Sequence, residues 1–130
     1  MIYRILFAAL AVCAMASAGS AKIWWVDNVP VNDADFRTLQ AANDGADEGD
    51  TIYVAGSATI YSGFTLTKRL FVFGPGYFLG QNPATQAKLA PAVVSSIDSR
   101  ADAEGSLITG ITMNNGITVR ANNFTQQFPV

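Results

Sequence analysis

Three spacings of apolar residues follow one another along the chain. An unbroken apolar run, Ile5–Met15, comes first. From Phe36 to Ala46 the positions Phe36, Leu39, Ala42 and Ala46 recur at helical intervals, which predicts a short helix with one apolar face. Past Gly49 the interval shortens to strand-like runs: Ile52–Val54, Phe64–Leu66, Leu70–Phe73, Ala92–Val94, Leu107-Ile108, Ile117–Val119 and Phe124-Thr125. Asp33 and Asp35 precede the helical stretch, and either can accept its free N–H groups. Gly45 and Gly49 bracket its end, and Asp50-Thr51 turns the chain into Ile52–Val54. A helix that runs straight into the first of many short strands predicts a lid on a stack, because a bare end exposes apolar surface and unpaired backbone groups.

The remaining segments refine that picture. Ile23–Val26 has strand composition and is followed by a turn signal at Asp27-Asn28 and Pro30, so it is expected to lie against the lid or the first coil. The step from Ile52 to Phe71 reads as one coil, near the ~20-residue lower end of solenoid repeats. Leu70–Phe73 reads as a buried strand stopped by Gly74-Pro75-Gly76. Tyr77–Pro91 breaks the regularity and reads as a loop leaving the stack, the kind of insertion that carries binding in solenoids. Asn114-Asn115-Gly116 and Ala121-Asn122-Asn123 are turns whose asparagines are candidates for stacked side-chain ladders. A sandwich would also give short strands. The lid helix and the insertion favour the stack.

One ordered series of residues carries a family resemblance. It runs Phe36-x-Thr38-Leu39-Gln40-Ala41-Ala42, Gly49-Asp50-Thr51-Ile52-Tyr53-Val54, Tyr61-Ser62-Gly63, Leu66-Thr67-Lys68 and Phe71-Val72-Phe73-Gly74-Pro75-Gly76. It resembles the N-terminal part of bacterial right-handed parallel β-helix proteins of the pectin-lyase-like superfamily, over roughly residues 36–125. The resemblance implies an all-β, right-handed parallel β-helix with an N-terminal capping α-helix. Two residues depart from the pattern: Asn43 stands where the family has an apolar helix residue, and Gly45 where it has alanine. Both are expected to weaken the cap helix. Gln126–Val130 offers no closing helix or polar coil, so the chain is expected to be a fragment, either the N-terminal portion of a longer β-helix or a truncated reading frame.

Charge and composition place the protein. Arg4, the run Ile5–Met15 and the small-residue site Ala16-Ser17-Ala18 form a signal peptide, which implies bacterial export to the cell surface or medium. Cleavage is expected before Gly19, with a cut after Ala21 as the alternative. The expected organisation is a signal peptide over 1–18, an N-terminal arm over 19–35, and the cap helix with the first coils over 36–130. Cleavage removes Arg4 and Cys13, leaving seven basic and ten acidic residues, a net charge of −3. Such mild acidity offers no footprint for nucleic acid. Loss of the one cysteine excludes a disulfide, and the absence of histidine from the chain excludes histidine triads and histidine zinc sites. No membrane span is expected after cleavage.

Carboxylates are the one catalytic side-chain type present in number. Asp98, Asp102 and Glu104 gather beside Arg100, and Asp44, Asp47, Glu48 and Asp50 follow the helix. Either group could supply a glycosidase pair or calcium oxygens, but acidic residues at turns are ordinarily solvated. No catalytic, metal or cofactor residue is therefore assigned, and no cofactor is expected. The candidates for ligand contact are Tyr77 and Phe78 in the loop and Trp24 and Trp25 in the arm, although packing as core, cap or against the coil is the commoner use of such aromatics. The leading expectation is an exported, non-catalytic surface or binding module that contacts polysaccharide or cell-surface glycan. The alternatives are the N-terminal part of a polysaccharide lyase or glycosidase whose active site lies on further coils, and a structural or adhesive stack.

Overall fold

The computed structural model describes residues 19–30, 33–76, 90–120 and 125–127. Residues 1–18, expected to be a leader, and the ligand candidates Tyr77 and Phe78 lie outside the described residues. Ten short strands are described: β1 (Ile23–Val26), β2 (Thr51–Val54), β3 (Phe64–Leu66), β4 (Phe71–Phe73), β5 (Val93–Val94), β6 (Ile97–Ser99), β7 (Leu107–Thr109), β8 (Thr112–Met113), β9 (Ile117–Val119) and β10 (Thr125–Gln127). One α-helix, α1 (Leu39–Gly45), stands between β1 and β2, and a 3-10 turn spans Ala101–Ala103.

Every strand pairing is parallel. The strands form three sheets, ordered β1-β2-β4-β7-β10, β3-β6-β9 and β5-β8. The described residues are thus mostly β, with parallel sheets and one α-helix, a topology compatible with a β-helix-like solenoid. In the largest sheet Trp24 stands beside Ile52, Ile52 beside Val72, Val72 beside Ile108, and Ile108 beside Gln126. The step from Ile52 to Val72 is 20 residues. Longer steps occur where the chain makes α1 and where it runs through segment 77–89.

Alternation sorts the side chains. Val26, Ile52, Val54, Val72 and Ile108 of the first sheet, Phe64, Leu66 and Ile97 of the second and Val94 of the third point into one apolar cluster. Leu39, Ala42 and Ala46 from the helical stretch join it, with Leu39 only 1% exposed. The expected contact between the lid helix and the Ile52 core is therefore present.

Three local expectations change. The N-cap of α1 is Thr38, whose side-chain oxygen accepts from Ala41 N–H at 3.1 Å; Asp35 instead accepts from Trp25 N–H at 2.8 Å. Ile23–Val26 lies against the first coil as expected and does more than that, since it is itself a strand of the same sheet, paired with β2 over four residues. Phe71–Phe73 buries one face only, because Val72 points inward while Phe71 and Phe73 are half-buried on the outside.

The departures at Asn43 and Gly45 also acquire a physical reason. β3 is an edge strand, and its N–H groups at Thr65 and Thr67 point away from β6. Gln40 Oε1 accepts from Thr65 N–H at 2.9 Å, and Asn43 Oδ1 accepts from Thr67 N–H at 3.1 Å. These amides sit three residues apart on one helix face and take the place of the carbonyls of a missing strand. Asp44 Oδ1 accepts from both amide nitrogens, at 3.0 and 3.1 Å, which turns both amide oxygens toward β3. These bonds, Asn43's first and Gln40's next, hold the Asp44 carboxyl below its ordinary value. Gly45 lacks a side chain where an added Cβ would stand 2.7 Å from Phe36 Cζ, so glycine lets the Phe36 ring seat against the helix end.

Candidate functional site

The most distinctive surface is the outside of the five-stranded sheet. Period-2 alternation that turns Ile52 and Val54 inward turns Tyr53 outward. Parallel register then places Trp25, Tyr53 and Phe73 side by side on consecutive strands. Trp25 is 37% and Tyr53 43% exposed, and Phe73 is half-buried. The neighbouring outer row carries Ile23, Thr51, Phe71 and Leu107. Strand spacing of about 4.8 Å spreads the three aromatic rings over roughly 10 Å. The aromatic row gives way to Thr109 and Gln127, whose side chains hydrogen-bond to each other at 3.5 Å.

Trp24 and Trp25, adjacent in sequence, serve opposite faces of β1. Trp24 is half-buried. Its indole N–H donates to Asp50 Oδ2 at 2.8 Å, its ring meets Phe36 at 5.2 Å between centroids, and the Lys22 ammonium lies 3.4 Å from its centroid. Its aromatic surface is occupied within the protein, whereas Trp25 presents its surface outward beside Tyr53. Tyr53 and Phe73 were not among the residues expected to contact a ligand. Alternation about Ile52 and the correct 20-residue step to Val72 would have found both.

A second feature lies on the outer face of the three-stranded sheet. A groove of about 510 Å³ runs beside the outward row Thr65, Asp98 and Thr118, with Gln40, Asn115 and Arg120 among its walls. Asp98 is held between two guanidinium groups, Arg100 at 3.2 Å and Arg120 at 3.6 Å. Asp98 is the one carboxylate among the groove's lining residues. Two carboxyl groups about 5–10 Å apart are what glycoside hydrolysis uses, so this arrangement can orient or anchor a polar ligand but does not form that pair. Asp102 and Glu104 sit exposed on the turn after β6.

The acidic stretch after α1 builds structure. Asp50 is 4% exposed and accepts from Lys22 N–H, Trp24 Nε1–H and Asp47 N–H, at 2.8, 2.8 and 3.0 Å. Burial pushes its carboxyl up, but these hydrogen bonds and the Lys22 charge outweigh that and leave it below its ordinary value. Glu48 pairs with Arg69 at 3.6 Å on the surface. Among the described residues no group of three or more His, Cys, Asp or Glu side chains is placed to hold a metal ion. Of the asparagine turns, Asn115 stacks on Ser95, donating to its hydroxyl at 3.1 Å, while Asn122 and Asn123 lie outside the described residues.

Among the described residues no helix is long and apolar enough to cross a membrane. No protein-family model, curated protein or solved structure matches the chain.

Proposed function

We propose that the protein is an exported, non-catalytic binding module, built on the opening coils of a right-handed parallel β-helix of the pectin-lyase-like kind, and that it holds polysaccharide or cell-surface glycan. The parallel pairing throughout, the inward-facing rows and the helix over the first strands support the solenoid. The observation that carries the binding reading is the outward row Trp25, Tyr53 and Phe73. Exposed apolar side chains gathered on one face mark interaction surfaces. Flat rings suit sugars, whose ring C–H groups form an apolar face while their hydroxyls stay in water. A straight row of rings also matches a linear ligand better than a compact one.

The test is a glycan array probed with the exported protein, followed by titration calorimetry on any hit. Tyr53→Ala and Trp25→Ala are expected to lower affinity at least tenfold each, with Lys68→Ala as a control away from the row. Binding that survives both substitutions would remove the aromatic row as the site. Failure to bind any neutral or acidic glycan would remove the glycan reading.

A further inference from the structure

We propose that maturation of this protein cuts the peptide bond between Ala21 and Lys22, and that the new α-ammonium of Lys22 is captured by the buried carboxylate of Asp50. The inference is independent of the glycan reading.

The position of Lys22 carries the proposal. Its backbone nitrogen already lies 2.8 Å from Asp50 Oδ1, and its carbonyl accepts from Thr51 N–H at 2.8 Å. Lys22 is thus the first residue tied into the sheet. Gly19, Ser20 and Ala21 are exposed and belong to no strand or helix, and a Cβ added at Gly19 would meet nothing within 4 Å. The bond before Lys22 therefore lies in exposed chain outside any strand or helix. The residues ahead of it also suit an endopeptidase that recognises small side chains: Gly19 and Ala21 occupy the third and first positions before the cut, as Ala16 and Ala18 do for the earlier one. Hydrolysis consumes one water. The C–N bond breaks, hydroxyl joins the Ala21 carbonyl carbon, and the nitrogen of Lys22 takes up protons to become an ammonium.

Asp50 is placed to receive such a charge directly. It is a nearly buried carboxylate whose three donors are all neutral groups. A buried carboxylate is stabilised most by an opposite charge that also donates hydrogen bonds. The ammonium would replace the neutral amide donor at the same distance and add two more donors, without moving β1. The Lys22 side chain already helps through its charge, but its ammonium lies over the Trp24 ring, whereas the new α-ammonium would sit at hydrogen-bond distance from Asp50 Oδ1.

Two measurements test the proposal on the full chain. The chain with its leader is expressed in an exporting bacterial host, and the exported product is analysed by intact mass and N-terminal sequencing. A product beginning at Lys22 is expected; one beginning at Gly19, or retaining the leader, overturns the assignment of the cut. Separately, protein beginning at Lys22 and protein beginning at Gly19 are released from fusion partners without extra residues and melted side by side. The Lys22 form is expected to melt higher by roughly 4–8 °C, the shift given by one added charge-assisted pair in a small domain. Equal melting overturns the capture by Asp50. Acetylating the Lys22 α-amine is expected to abolish the difference, and a difference that survives acetylation also overturns it.

Discussion

Replacing Asn43 by alanine separates two accounts of the cap helix. A reading from helix propensity expects stabilisation, since alanine is favoured over asparagine by up to ~0.7 kcal/mol in a helix and the resembling family carries an apolar residue there. The geometry expects the reverse. Asn43 is fully buried, accepts from Thr67 N–H at 3.1 Å and donates to Thr67 Oγ1 at 3.0 Å. Each such bond contributes about 0.5–1.5 kcal/mol net, so losing two removes about 1–3 kcal/mol. The propensity gain offsets only part of this, leaving a loss of about 0.5–2.5 kcal/mol. At roughly 4 °C per kcal/mol for a domain near 100 residues, the melting temperature should fall by roughly 2–10 °C. Circular dichroism melts give the stability, and native-state hydrogen exchange gives the site, because the Thr67 amide should lose protection more than amides of β7. A variant that melts at or above the parent, with Thr67 exchange unchanged, would refute the claim that helix amides close the edge of β3.

Other expectations follow from single features. Gly74→Ala drives a Cβ into the Gly110 carbonyl oxygen, against backbone that cannot swing aside, and should cost about 1–3 kcal/mol in a urea titration. Gly110 sits at φ +71°, and a Cβ added there would in turn meet the Gly74 carbonyl, so the corners that follow β4 and β7 are stacked in close contact. Asp50 has a folded-state pKa below its unfolded value, so its contribution is present above the ordinary carboxylate range and is lost as pH falls through the folded value. Asp50→Asn should therefore flatten the acid limb of a plot of stability against pH, and an unchanged limb would count against its role. Burial pushes the Tyr61 hydroxyl up to about 12, and that hydroxyl donates to Ala55 O at 2.7 Å. Its contribution is complete below the ordinary tyrosine value of about 10 and is lost as pH rises through about 12. Tyr61→Phe should remove that alkaline dependence in melts recorded across the same range.

Much of the architecture was legible because it rests on periodicity. Leu39, Ala42 and Ala46 at helical spacing, and Ile52 with Val54 at strand spacing, are all in the core. The register was harder. Pairing Ile52 with Phe71 instead of Val72 is a slip of one residue, and in a strand one residue exchanges the faces. That slip hid the outward row, since it places Phe71 inside and leaves Tyr53 without Phe73 beside it. Trp24 and Trp25 show the same limit, because composition treats them alike and only alternation separates a ring locked against Phe36 and Lys22 from one that faces outward. Asn43 was illegible for a different reason. An amide on the apolar side of a helix looks like a defect until the strand edge it serves is in place. Thr38 caps the helix in place of the expected Asp33 or Asp35, because each of these side chains can accept an N–H and the choice depends on where the edge of β1 passes.

The closed edges bear on the proposed surface. A parallel sheet with an apolar outer face and a free edge would add strands from other molecules. Here the edge of β1 is occupied over its second half: Phe36 N–H donates to Trp25 O, Asp27 N–H donates to Phe36 O, and Asp35 takes the Trp25 N–H. The edge of β3 is closed by the amides of Gln40 and Asn43. Residues 35–43 therefore block two sheets at once, with a backbone bridge on one and side chains on the other. With strand addition blocked at this end of the stack, the row Trp25, Tyr53 and Phe73 beside it is open to contacts through its ring faces. Those contacts demand flat apolar surface from a partner rather than backbone groups, which is the kind of contact a sugar chain supplies and an incoming strand does not.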